Sequence, residues 1–247
     1  MRQRPADFVP RMLEAAGRVF ARRGLKGARM TDIAREMGVA HGSLYNYVES
    51  KEALFLLLVD QWGREAIDVS GEELPLKTPS MQSIVDRLQQ RVTETFPLRA
   101  LDEALKRRSP IDPQQELHEI VLELYVHTER SRQGATILER SARDVPELFG
   151  LFFERVRREL FERMTAYIAR RIADGSLHAV DPQTAARFII ETVTFFARHR
   201  FLDPRPQDLD DNEVRRTIID LITRSLLPAT ERPAARKTSR RTAKRRK

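Results

Sequence analysis

Thr31–Val48 reads TDIAREMGVAHGSLYNYV, and its spacing decides the fold. Ile33, Ala34 and Met37 fall on one face of a helix. Ala34 is small enough for a second helix to cross close by. Gly38 stands at the turn, where glycine takes a positive φ without a Cβ clash. Val39 closes the small core, and Leu44 and Val48, four apart, form the buried side of the second helix. His41, Gly42, Ser43, Tyr45, Asn46 and Tyr47 are left facing outward. This is the pattern of a helix-turn-helix, whose second helix offers a short, polar and aromatic surface to base edges and phosphates in the DNA major groove.

A two-helix corner of any all-α domain shares the glycine turn, so the flanks decide. A helix over 7–23 is expected to bury Phe8, Met12, Ala15, Val19 and Phe20 and to stop at Gly24 as a C-cap. Ser50 is a good N-cap for a further helix that opens with Lys51 and Glu52.

Residues 12–59, MLEAAGRVFARRGLKGARMTDIAREMGVAHGSLYNYVESKEALFLLLV, resemble the TetR family of bacterial transcriptional regulators. The most specific parts are ARRG, DIA…GV, GSLYNY and SKEAL, which carry the likeness together. Weaker similarity continues in EL…FFERVRRELFERM near residue 147 and DPQTAARFI near residue 181. The resemblance implies that His41, Gly42 and Tyr45 face base edges, and that Ser43, Tyr47 and Lys51 contact the phosphate backbone. Gly42 then has a reason to be small, because the recognition helix approaches DNA closely. Two positions depart from the pattern. Ala28 and Arg29 replace a usual hydroxyl before the first motif helix, and Ala40 replaces a usual Ser. Arg29 becomes a direct phosphate contact on this reading. With Thr31 and Asn46 it completes the expected DNA-facing set.

Composition frames this motif. The chain has 247 residues, 41% hydrophobic, with no Cys and a net charge of +8. No disulfide or thiolate chemistry is available. No apolar run approaches a membrane span, and the basic, polar start RQRPADFVPR lacks a signal-peptide core. A cytoplasmic protein with no membrane partner is expected. Charge is uneven along the chain. Residues 1–51 carry ten Lys and Arg against five Asp and Glu, residues 52–227 carry 25 against 30, and residues 228–247 carry nine against one. Three parts are therefore expected: a DNA-binding head over 1–51, a ligand-binding and dimerisation domain over 52–227, and a disordered basic tail over 228–247. The tail would add sequence-independent phosphate contacts.

The remainder reads as all-α. Helices are expected over 50–70, 80–95, 97–108, 113–129, 132–143, 146–173, 182–201 and 211–226, with loops at GEELPLKTP, SPIDP and DPRPQDLDD. Asp181 caps one helix, with Pro182 at its first position. The two long helices near the C-terminus bear apolar stripes (Leu148, Phe152, Val156, Leu160, Met164 and Ile168; Ala186, Ile189, Ile190, Val193 and Phe196). These suit either intrachain core or half of a four-helix dimer interface, and the resemblance favours a homodimer on a near-palindromic double-stranded DNA operator.

The resemblance also implies a pocket for a small-molecule effector among the middle helices, for which His118, Tyr125, Phe149 and Phe195 are the candidates. His118 and His127, nine apart, make no metal pair. No catalytic, metal or cofactor pattern stands out, so an enzyme is disfavoured. The expected function is ligand-responsive transcriptional control, most simply repression relieved by a small molecule. The alternative is an architectural DNA-binding protein with little sequence preference.

Overall fold

A computed structural model describes residues 7–62, 73–95, 97–205 and 207–228. The far end of the helix expected over 50–70 and nearly all of the tail expected over 228–247 lie outside the described residues.

The chain begins with α1 (Phe8–Gly27), α2 (Met30–Met37), a 3-10 helix over His41–Asn46 and α3 (Lys51–Gln61). The distal half consists of α4 (Met81–Thr95), α5 (Arg99–Lys106), α6 (Pro113–Arg130), α7 (Arg132–Ala142), α8 (Pro146–Phe149), α9 (Arg158–Ala173), α10 (Pro182–Ala197) and α11 (Asp211–Leu226). A π-helical stretch, Gly150–Arg157, joins α8 to α9. A second 3-10 helix covers His199–Leu202. No strand pairing occurs among the described residues beyond one isolated parallel bridge, Val48 with Leu76.

Local chemistry sets these boundaries. Asp112, Asp181 and Asp210 each accept a backbone N–H three residues on and cap α6, α10 and α11. Pro113 and Pro182 occupy first-turn positions, where no N–H is needed. The helix expected over 146–173 is continuous in direction but changes its winding at Gly150–Arg157. The helix expected over 182–201 ends at Ala197.

Buried apolar side chains form two clusters. The head-side cluster joins α1, α2, the 3-10 helix and α3 to Ile84 and Leu88 of α4, Ile137 and Leu138 of α7, and Leu148 and Leu151. The apolar packing therefore runs on past residue 51. The distal cluster gathers α5, α6, α9, α10 and α11 around Tyr125, Tyr167 and Ile189. Of the two long stripes, Leu148, Met164, Ile168, Ala186, Ile189, Ile190 and Val193 are buried within the chain itself.

Candidate nucleic-acid interface

The head is built from the glycine turns outward. Gly24 has φ 66° and bends α1, and a Cβ there would lie 3.1 Å from the Arg140 carbonyl oxygen. The chain then runs on to Leu25, whose N–H donates to Ser141 Oγ at 3.0 Å, fastening α1 to α7. Gly38, at φ 69°, ends α2 in the left-handed region. Its N–H reaches the Arg35 carbonyl at 3.1 Å, and the Val39 N–H reaches that of Ala34 at 3.0 Å.

Ion pairs bridge α1 and α2 across their outer faces. Glu36 takes Arg18 at 2.8 Å and Arg22 at 2.6 Å, and Asp32 takes Arg23 at 3.0 Å. The hydrogen bond from Arg18, followed by that from Arg22, holds the Glu36 carboxyl below the usual carboxylate range. These pairs leave the opposite side of the motif uncommitted. There the 3-10 helix buries Leu44 and exposes His41, Gly42, Tyr45 and Asn46, with Ser43 half-buried. His41 and Tyr45 meet edge to face at 5.1 Å. No atom lies within 4 Å of a Cβ built on Gly42. Its small size therefore meets no need inside the chain. Arg29 and Thr31 are exposed at the start of α2, where the helix dipole favours an anion.

Two expected contacts take other roles. Tyr47 is 6% exposed and its ring stacks on Phe8, centroids 4.5 Å apart. It is a core residue of the head rather than an outward one, because Phe8 at the start of α1 covers it. Lys51 is half-buried, and its Nζ donates to the Lys26 and Ala28 carbonyls at 3.1 Å each. It ties the α1–α2 connection to the start of α3 and has one donor left. Ser50 caps α3 through Ala53 N–H at 3.2 Å, as its position predicts.

The sequence reading missed a contact from outside the motif. Leu76, in the segment read as a plain loop, bonds to the backbone of Tyr47 and Glu49. A proline- and glycine-rich stretch without periodicity gives no signal of such a partner.

The four effector candidates do not converge. Tyr125 is buried in the distal core, and burial raises its pKa. His118 borders an open groove of about 600 Å³ between α6 and α11, with Leu122, Leu221, Arg215 and Arg224. Phe149 and Phe195 are 44% and 49% exposed. They stand on outer helix faces, because the buried sides of their helices are taken by Leu148, Val193 and Thr194. A different place draws polar atoms together. At the junction of α3 and α4, Arg91 bonds to the Trp62 carbonyl, while Arg91 Nε, Trp62 Nε1 and Gln61 Oε1 are buried without a partner among the described residues.

Residues 12–58 match the bacterial regulatory proteins of the tetR family, and residues 122–226 match the AefR-like transcriptional repressor C-terminal domain. The chain belongs to the TetR family of transcriptional regulators. The HTH-type transcriptional repressor KstR2 of Mycolicibacterium smegmatis is 42% identical over 50 residues, which cover 20% of this chain and 24% of that relative. The match thus spans about a quarter of the relative's length. Over the whole fold, the ketosteroid regulator KstR2 of Mycobacterium tuberculosis superposes with a TM-score of 0.56 at 18% identity, covering 92% of this chain and 97% of that one. AibR, solved with isovaleryl coenzyme A and operator DNA, superposes with a TM-score of 0.52 at 17% identity, covering 86% and 96%. At these identities the two structures share the TetR fold. The family is one of DNA-binding regulators with a helix-turn-helix head, and no helix among the described residues is long and apolar enough to cross a membrane.

Proposed function

We propose that this chain is a homodimeric repressor that holds two recognition segments on a near-palindromic operator and releases it when a small molecule binds the distal half. The observation that carries the reading is the exposed surface of His41, Gly42, Ser43, Tyr45 and Asn46 on a segment whose other side is fully occupied. Arg29 and Thr31 flank it for backbone contact, and Lys51 adds its remaining donor. Two such segments reach successive major grooves only at about 34–36 Å spacing, which requires a second copy. Phe188 and Phe195, two turns apart on α10 and 47% and 49% exposed, together with Phe149, suit burial against that copy.

Three parts are read into the chain: the head over 1–51, the effector and dimerisation domain over 52–227, and a basic tail that strengthens phosphate contact. The complex of AibR with isovaleryl coenzyme A supports a small-molecule trigger for this fold. The seat favoured here is the α3–α4 junction. Buried polar atoms without partners are costly, and a ligand that pairs Trp62 Nε1 and Arg91 Nε gains what the chain alone leaves unmet. Because α3 starts at the base of the recognition segment, a ligand there has a short path to the DNA.

A salt-dependent titration of the full chain on DNA upstream of its own gene, against a shuffled duplex, tests the reading. A preference of about a thousandfold or more supports a site-specific regulator. Equal affinity for both duplexes favours the architectural alternative. Trp62 is the one tryptophan in the chain, so its fluorescence reports directly on the proposed effector seat.

A further inference from the structure

The recognition segment depends on contacts from elsewhere in the chain. It is a six-residue 3-10 helix, a geometry with poorer hydrogen bonds than an α-helix. Ala40 at its start offers no side-chain cap. Its far end is held by a different part of the chain. The Leu76 N–H donates to the Tyr47 carbonyl at 2.8 Å, and the Glu49 N–H donates to the Leu76 carbonyl at 2.9 Å. The Glu49 side chain completes the attachment, accepting from Lys77 Nζ at 2.7 Å and from the Thr78 N–H at 3.1 Å. Only Pro79 and Ser80 then separate this segment from α4. Ser80 Oγ caps α4 by accepting the Ser83 N–H at 3.1 Å, and Ile84 and Leu88 anchor that helix in the head-side core.

We propose that residues 74–78 form a positioning strap for DNA recognition, by which α4 of the distal half holds the end of the recognition segment at Tyr47–Glu49. Leu76 acts through its backbone and Lys77 acts through Glu49. Neither touches DNA. Lys77 also neutralises a carboxylate that would otherwise stand next to the DNA-facing surface. The strap gives α4 a direct connection to the end of the recognition segment, separate from α3. The inference rests on the TetR-type docking of His41–Asn46 in a major groove.

The test uses the full chain and a duplex that the wild type selects from random-sequence DNA. Leu76→Pro removes the N–H given to Tyr47, while Leu76→Ala removes the side chain and keeps both backbone bonds. Leu76→Pro is expected to weaken binding roughly tenfold and to speed amide exchange at 47–49, with Leu76→Ala close to wild type in both. Lys77→Ala is expected to weaken binding by a few-fold without changing the salt slope or the melting temperature, and Lys77→Arg to restore it. In a Glu49→Gln background, Lys77→Ala should add little. A fall of about one unit in the salt slope for Lys77→Ala would make Lys77 a phosphate contact and overturn the proposal. So would unchanged exchange at 47–49 in Leu76→Pro, or additive effects at positions 49 and 77. Selection of no duplex at all would count against the docking reading instead, and the exchange data would still decide the strap.

Discussion

The head-side and distal cores handle charge in opposite ways. Around the head, arginines and carboxylates pair on the outside, as Arg18, Arg22 and Arg23 do with Glu36 and Asp32, and the polar groups buried beside the head-side cluster, Ser141 and Arg91, come from α7 and α4. In the distal half a guanidinium lies at the centre. Arg171 is fully buried, with Nε 2.6 Å from Glu116 Oε1 and Nη2 3.2 Å from Oε2. It also donates to the Ala104 carbonyl at 2.8 Å and to Asp174 at 3.0 Å. One side chain on α9 thus pins α5 and α6. Burial works against its charge, and the Glu116 and Asp174 carboxylates outweigh that, so its pKa ends above the ordinary value. Tyr167 packs beside it, 5.5 Å from the guanidinium, and burial pushes its own pKa up. Exposed ion pairs contribute little to stability, whereas removing one member of a buried pair leaves a charge stranded. The head therefore rests on packing, caps and glycine geometry, and its reading surface carries no structural duty. The distal half has a fixed polar centre that sets how three helices meet.

The largest expected effect comes from breaking that centre. Arg171→Ala should cost about 3–5 kcal/mol by stranding Glu116, read by urea denaturation. A cost near that of an exposed arginine would erase the contrast between the cores. Gly24→Ala is next. A side chain at positive φ, pressed toward the Arg140 carbonyl, should cost about 1–3 kcal/mol, visible as a lower melting temperature. Tyr45→Ala should leave melting unchanged and lose about 1–3 kcal/mol of preference for the selected duplex over a shuffled one. A melting shift instead would tie the reading surface to the core after all. Lys51→Met removes two charge-assisted bonds to carbonyls and should destabilise the head by roughly 1–2 kcal/mol. Its salt slope should fall by less than the full unit expected of a dedicated phosphate contact. Ser50→Ala should be the mildest, about 1 kcal/mol for a lost cap, by the same denaturation.

The head was largely legible in the sequence because each of its devices is local. Helical spacing marks Ile33, Ala34 and Met37, a glycine marks the turn, and a serine marks the next helix start. The sequence alone places Tyr47 outward because a tyrosine beside Asn46 looks like surface until Phe8, 39 residues earlier, is known to cover its ring. Arg171 could not be singled out either. It follows Arg170, and only the packing of α5 and α6 makes one of them a core residue and leaves the other exposed. The effector candidates on outer faces were not legible as such for a related reason. Phe149 and Phe195 are apolar, yet their neighbours Leu148 and Val193 already fill the interior side of each helix. Periodicity reports that a face is apolar and not what covers it.

The π-helical stretch Gly150–Arg157 lies between side chains of the two cores, with Leu148 and Leu151 in one and Met164, Tyr167 and Ile168 in the other. An α-helix advances about 100° per residue, whereas a π turn holds an extra residue. The winding here therefore acts as a phase setting, fixing the azimuth at which the distal half sits above the reading head. Deleting the exposed Glu154 from this stretch would leave the composition of both cores intact while rotating one half about the other. In a dimer, such a change would alter the distance between the two reading heads, and with it the operator length the pair can span.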